Sequence, residues 1–173
     1  RLKFTNLGKV YDIAIIGGGA AGLYAAAALS SYKKDKGGIE AILLEKMHRC
    51  GLKIGITGKG RCNLTNTKPW NEFATHIHPK NVFLKNAFYA SSNTAVMENF
   101  ERMGLPLVVE RGDRVFPQSM KALDVVSTLE RHILQGGLQL RKNSQVSSLA
   151  KGDDGVFVIK CSEGFECRAR KVI

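Results

Sequence analysis

The sequence predicts an α/β fold, a parallel sheet with crossover helices continued by an antiparallel β-meander, and three observations carry that expectation. Val10 to Ile16 is an apolar strand that runs through Gly17-x-Gly19-x-x-Gly22 into an alanine-rich helix, Ala20 to about Ser31. Ile39 to Leu44 is a second apolar strand directly after that helix. Strand, helix, strand in this order needs a crossover, which makes the two strands parallel neighbours. Toward the C-terminus, Gln145 to Ala150, Val156 to Cys161 and Phe165 to Ile173 are three short strands joined by tight turns, one of them Ser162-Glu-Gly164. Short linkers of this kind join antiparallel neighbours.

The turn carries chemistry as well as topology. Gly17 permits the sharp reversal, Gly19 lets backbone approach an anion with no side chain between, and Gly22 lets the helix sit close on the strand. The free N–H groups and positive dipole end of the helix favour a phosphate there, beside Gly17, Gly19 and Gly22. The second strand ends at Glu45, at about the spacing from the turn at which an acid receives the hydroxyls of a ribose. The pattern is therefore that of a dinucleotide site. A plain strand-end carboxylate is the competing account of Glu45.

After Glu45, residues 46–67 combine Gly51, Gly55, Gly58 and Gly60 with Lys46, Arg49, Lys53, Lys59 and Arg61. Glycine interleaved with cations is poor material for helix or strand and suits a loop that wraps an anionic ligand. From His78-Pro79 to Gly104 the spacing predicts two helices. Val82, Phe83, Ala87 and Phe88 form the buried face of the first, and Val96, Met97, Phe100 and Met103 that of the second. Ser91, Ser92 and Asn93 offer its cap and Gly104 its stop. Leu105 to Glu110 reads as a strand, and Arg111-Gly-Asp-Arg114 as a turn. Ser119 to Gln135 is an amphipathic helix with Ala122, Val125, Val126, Leu129 and Ile133 on one face. Gly136-Gly137 ends it, and the strand begun at Leu138 extends the parallel sheet.

Composition narrows the function classes. A chain of 173 residues buries a real core. The net charge of +11 is spread along the sequence, without a basic run or an aromatic stacking motif, so solvated surface and an anionic cofactor account for it and nucleic acid is not expected. The uncharged stretch Ile13 to Leu29 is short for a membrane span and holds the glycines of the turn. The N-terminal Arg1-Leu-Lys-Phe-Thr-Asn6 lacks a secretory core, which points to a cytoplasmic protein. Cys50, Cys62, Cys161 and Cys167 have neither CxxC nor zinc-ligand spacing and are expected as free thiols. His76 and His78 lack a third ligand nearby, so no metal is expected. The chain stops within an apolar strand, the ending of a piece of a longer protein, and leaves Phe165 to Ile173 as an unfinished sheet edge.

Gly51-Leu-Lys-Ile-Gly-Ile-Thr-Gly-Lys-Gly-Arg-Cys-Asn-Leu-Thr-Asn66, following the glycine turn and Glu45, resembles the bacterial NAD(P)/FAD-dependent flavoproteins of the aminoacetone-oxidase-like type. Gly112-Asp-Arg-Val-Phe-Pro-Gln-Ser-Met-Lys-Ala-Leu-Asp-Val-Val126 is a second match to them. The resemblance implies a three-layer FAD/NAD(P)-binding Rossmann-like domain, of which residues 1–173 are the N-terminal part, with a helical segment at 74–111. The remainder of that domain and a substrate-side barrel would follow residue 173. It implies FAD as the resident nucleotide: Gly17, Gly19, Ala21 and Gly22 at the pyrophosphate, with Ala20 beside them, and Glu45 on the adenosine ribose. Lys46 and Lys53 would lie by the adenosine half. Gly58, Gly60, Arg61, Cys62 and Asn63 would line the path to the flavin, and the Val146 backbone would meet the adenine. The chain departs from the pattern at Leu52, where many relatives are basic, and in the long Tyr32 to Gly38 connection, a surface extension.

These observations favour a flavin-dependent oxidoreductase acting on a small-molecule substrate, with NAD(P)H as electron donor. A nicotinamide-dependent dehydrogenase on the same fold is the second reading, and a flavin-dependent tRNA-modifying or RNA-binding module the third. No residue pair is a convincing acid and base, so no catalytic residue is assigned. Cys62 is either a flavin-adduct thiol or a packing residue.

Overall fold

The structure, a computed structural model, describes residues 9–32, 38–78 and 82–173. The expectations for residues 1–6, for 33–37 of the long connection and for Pro79 lie outside the described residues. In chain order the elements are β1 (Val10–Ile16), α1 (Ala20–Ser30), β2 (Ala41–Leu44), α2 (Leu52–Ile56), β3 (Thr65–Asn66), α3 (Trp70–Phe73), α4 (Val82–Ala90) and α5 (Asn93–Arg102). There follow β4 (Leu107–Glu110), β5 (Arg114–Pro117), α6 (Ala122–Gln135), β6 (Gln139–Arg141), β7 (Val146–Lys151), β8 (Phe157–Cys161) and β9 (Glu166–Val172). They form two compact units, one of Arg1–Lys53 with Leu129–Ile173 and one of Ile54–Thr128, which contains the 74–111 segment.

The first unit is built on a six-stranded sheet in the order β6-β2-β1-β9-β8-β7. β6, β2, β1 and β9 are mutually parallel, and β9, β8 and β7 form the antiparallel meander. All four residues of β2 are buried, as a strand flanked on both sides requires. Tyr11, Ala14, Ile42 and Leu44 join Ile159, Cys161, Cys167 and Ala169 in one apolar cluster. The expected edge at Phe165 to Ile173 is corrected: β9 is interior. Val10 and Val158 both pair with Arg168 from opposite sides, and Ile173 N–H donates to the Ala14 carbonyl at 2.9 Å. The edges of the sheet are β6 and β7.

The second unit holds an antiparallel sheet in the order β3-β5-β4. Its strand β5, absent from the sequence expectation, is a hairpin partner of β4 across residues 111–113, where Gly112 and Asp113 take φ of 80° and 60°. The Arg-Gly-Asp tripeptide is thus a turn. The loop expected over 46–67 is also corrected. Buried Ile54 anchors α2, a 3-10 turn runs over Thr57–Gly60, and β3 closes the stretch. Left-handed Gly58 and Lys59, φ 55° and 58°, reverse the chain there.

Of the two expected central helices, α5 matches its pattern. The Ser92 hydroxyl accepts from Ala95 N–H at 3.1 Å, Phe100 is buried, and Gly104 ends the helix at φ 85°. α4 does not. None of its residues is buried, and Val82 and Phe83 are 75% and 87% exposed. Only Phe88 is half-buried, with its ring 5.2 Å from Trp70 and 5.4 Å from Phe73. Apolar spacing defines a helix face, but a neighbouring element must be present to cover it. α6 buries Ala122, Val125, Val126, Leu129 and Ile133 as expected. It begins later than Ser119 because Met120, at φ 55°, donates its N–H to the Pro117 carbonyl in a turn.

Candidate nucleotide-binding site

The glycines divide their work as the sequence pattern requires. Gly17 has φ 106°, a conformation that L side chains resist, and its N–H donates to the Leu44 carbonyl at 2.8 Å. A Cβ on Gly22 would lie 1.9 Å from the Gly17 carbonyl oxygen, so this glycine is what allows α1 to close on β1. A Cβ on Gly19 or Gly17 would meet nothing within 4 Å. Gly19 is the N-cap of α1 and offers no side-chain cap, and with Ala20 and Ala21 it is exposed. Bare backbone N–H groups at a helix start, with open space in front, are what a pyrophosphate takes.

Glu45 ends β2 beside this turn and is 8% exposed. Its carboxylate accepts from Gly18 N–H at 2.6 Å through Oε2 and from Met47 N–H at 2.8 Å through Oε1. Its own backbone is tied to the end of β6: Glu45 N–H donates to Arg141, and Ser144 N–H donates to the Glu45 carbonyl, each at 2.8 Å. A buried carboxylate held by two backbone donors is a fixed acceptor, and each oxygen keeps a second lone pair for a hydroxyl. Plain solvated carboxylate is therefore excluded for Glu45. The structure brings together Gly17, Gly19, Ala20, Ala21, Gly22 and Glu45 at the carboxyl ends of parallel strands, the place where nucleotides bind in such sheets.

Val146 opens β7 two residues after Ser144, opposite Cys161 in the register. Lys46 and Lys53 are exposed, and among the described residues neither forms an ion pair. The sequence did not single out Gly18, Met47 or Cys50 for this site. Cys50 is buried behind the turn, and Gly51 N–H donates to the Gly18 carbonyl at 2.8 Å. Burial, followed by the nearby Glu130 carboxylate, pushes the Cys50 thiol up to about 12. Three consecutive glycines, 17–19, were the available signal for Gly18, since the middle one is not required by the dinucleotide pattern.

Gly58, Gly60, Arg61, Cys62 and Asn63 lie in the second unit. A Cβ on Gly58 would sit 3.2 Å from Asn63 N. Arg61 pairs with Glu110 at 3.1 Å and stacks 4.5 Å over the Phe116 ring, so its charge is held within the unit. With its amide nitrogen turned toward them, the orientation that satisfies its neighbours, Asn63 donates to the Thr65 and Val115 carbonyls at 2.9 and 3.2 Å. Cys62 takes φ 61°, a left-handed conformation unusual for a side-chain-bearing residue, and burial raises its pKa. All four cysteines are free, buried thiols. Among the described residues, no group of three or more metal-ligating side chains occurs. Nor is any helix there long and apolar enough to cross a membrane.

Comparison with known proteins bears on the family and the fold. Residues 11–173 match the family described as HI0933-like protein Rossmann domain. Among curated proteins, the 3-dehydro-bile acid delta(4,6)-reductase of Clostridium scindens is 32% identical over 161 residues, 93% of this chain and 37% of that protein. The ribosomal RNA dihydrouridine synthase of Escherichia coli is 26% identical over 145 residues, 84% of this chain and 34% of that protein. The chain thus spans little more than a third of these relatives. In fold it is similar to a 3-ketosteroid-delta4-(5alpha)-dehydrogenase from Rhodococcus jostii RHA1. That match has a TM-score of 0.66 at 14% identity, covering 99% of this chain and 46% of that one.

Proposed function

Since the chain belongs to the HI0933-like Rossmann-domain family, we propose that it forms the FAD-binding part of a flavin-dependent oxidoreductase that reduces a small-molecule substrate with electrons from NAD(P)H. The single observation that carries this is the buried Glu45 carboxylate, oriented by Gly18 and Met47 N–H beside a glycine turn with open space at Gly17 and Gly19. These residues fit FAD: the start of α1 would hold the pyrophosphate, Glu45 the adenosine ribose and the Val146 backbone the adenine. Lys46 and Lys53 would supply counter-charge, and Gly58, Gly60, Arg61, Cys62 and Asn63 would lie toward the flavin. Bound flavin supplies hydride acceptance and return. The residues on this chain bind and orient it. Free buried thiols suit a reducing compartment, and a cytoplasmic location is part of the proposal.

The test is a spectrum and a titration. The purified full-length protein should carry yellow, oxidised flavin, whereas a resident nicotinamide nucleotide would leave it colourless. Glu45→Ala should weaken FAD binding by about 1.5 to 3 kcal/mol, the range for a hydrogen bond to a charged group. Unchanged flavin content in that variant at limiting FAD would remove Glu45 from the site.

A second reading, reduction of a base in RNA, is supported by one relative, the ribosomal RNA dihydrouridine synthase. RNA binding that weakens steeply with added salt would support it. Binding independent of salt, or none, would leave the small-molecule reading alone.

A further inference from the structure

We propose that Cys50 is a positioning residue for the nucleotide: seated behind the glycine turn, it fixes Gly18 N–H on the Glu45 carboxylate and so sets the direction in which Glu45 meets a ribose. The inference rests on the FAD reading above and names a residue that neither the glycine pattern nor the acid at the strand end includes.

Glu45 is oriented by two backbone donors, and the shorter contact is the 2.6 Å bond from Gly18 N–H to Oε2. That donor is useful only while Gly18 cannot retreat. Directly behind it, the space a Gly18 Cβ would occupy is 2.6 Å from Cys50 Sγ, 3.1 Å from Cys50 Cβ and 3.0 Å from Glu45 Oε2. The thiol and the carboxylate therefore both crowd the position a Gly18 side chain would take. The next residue completes the clamp, since Gly51 N–H donates to the Gly18 carbonyl at 2.8 Å. The thiol is itself held. It is 2% exposed and lies near Glu130, whose two carboxylate oxygens each lie 2.9 Å from Lys142 Nζ. A line of contacts thus runs from Lys142 through Glu130, Cys50 and Gly18 to Glu45.

The residue type follows from the space and the charge. A larger side chain would displace Gly18 from its bond to the Glu45 carboxylate, and a smaller one would leave a void into which the turn relaxes. An anionic group there would stand beside both Glu130 and Glu45. The thiol is neutral at any physiological pH, with a pKa of about 12. Serine alone is close in size and can donate a hydrogen bond to Glu130.

A double-mutant cycle separates positioning from mere structural support. Full-length protein stripped of flavin is titrated with FAD and read by fluorescence quenching, while melting of each apoprotein is followed in parallel. Cys50→Leu should weaken FAD binding about 10-fold when Glu45 is present and less than about 2-fold in the Glu45→Gln background, because its effect is routed through that carboxylate. Cys50→Ser should stay within about 2-fold of the starting protein. If Cys50→Leu does not fold, Cys50→Ala serves in its place, with an expected loss of about 3-fold that again vanishes in Glu45→Gln. Equal losses with and without the Glu45 carboxylate, or no loss at all, would overturn the proposal while leaving FAD binding intact. A starting protein that takes up no FAD would sink the FAD reading and this inference with it.

Discussion

Two glycines five residues or fewer from Gly17 separate folding from binding. At Gly22 a side chain would collide with the Gly17 carbonyl at 1.9 Å, so Gly22→Ala should cost stability, about 1 to 3 kcal/mol, the range for overpacking a closed site. At Gly19 the same Cβ meets open space. Gly19→Val should therefore give folded protein that is colourless, because the branched side chain fills the pyrophosphate space. A Gly19→Val protein with full flavin, or a Gly22→Ala protein that melts at the starting temperature, would mean the turn is misassigned. The buried thiols set an alkaline limit. Folding raises Cys50 from 9.0 to about 12 and Cys167 from 9.0 to about 11, chiefly through burial. The unfolded chain then releases these protons first, so their contribution is complete below about pH 9 and is lost as pH rises toward 11 and 12. Denaturant melts should show stability falling across that window, with a shallower fall in Cys50→Ala. An identical slope in the variant would refute the assignment.

At the scale of elements, legibility in the sequence followed the number of partners. α6 has an apolar stripe and buries all of it, down to Ile133 at 0% exposure. Ile133→Ala should accordingly cost about 2 to 5 kcal/mol, measured by denaturant unfolding. α4 carries a comparable apolar set that stays exposed, so Phe83→Ala, at 87% exposure, should change stability by less than about 0.5 kcal/mol. Reversed sensitivities would show that the covered and bare faces have been exchanged. The 46–67 stretch read as loop because glycine and lysine suppress both periodicities. Its helical turn rests instead on one anchor, Ile54, and on left-handed Gly58 and Lys59, which no pattern search weighs. Similarly, β5 went unseen because Arg114–Pro117 is four residues long and contains a proline, and its strand character comes from pairing with β4 and β3.

For the molecule as a whole, β9 is the strand that joins two arrangements. It continues the parallel order of β6, β2 and β1 on one side and begins the antiparallel meander on the other. Strands bonded on both sides must break two ladders to open, so amide hydrogens of β2, β1, β9 and β8 should be the slowest to exchange among the strands of the first unit. Those on the outer edges of β6 and β7 should be the fastest of its strands. Exchange in β9 as fast as in β7 would contradict the order. The same arrangement explains why the sequence reading misjudged the sheet edge: β9 follows the other strands in chain order but lies between β1 and β8 in space.

The sequence by itself determined the strand, turn and helix at residues 10–30, the parallel partner ending at Glu45, the meander and the acid expected to face a ribose. These are legible because they depend on local chemistry: glycine where φ must be positive or a helix must approach, apolar runs where a strand is buried, and an acid at fixed chain spacing. Only the tertiary structure decided that Glu45 is aimed by Gly18 and Met47, that Cys50 closes the space behind the turn, that Arg61 is paired with Glu110, and that α4 leaves its apolar face bare. Each of these depends on which residues distant in sequence become neighbours. Periodicity reports the character of a face, whereas differences of a few tenths of an ångström in contact distance decide what that face, or that carboxylate, can do.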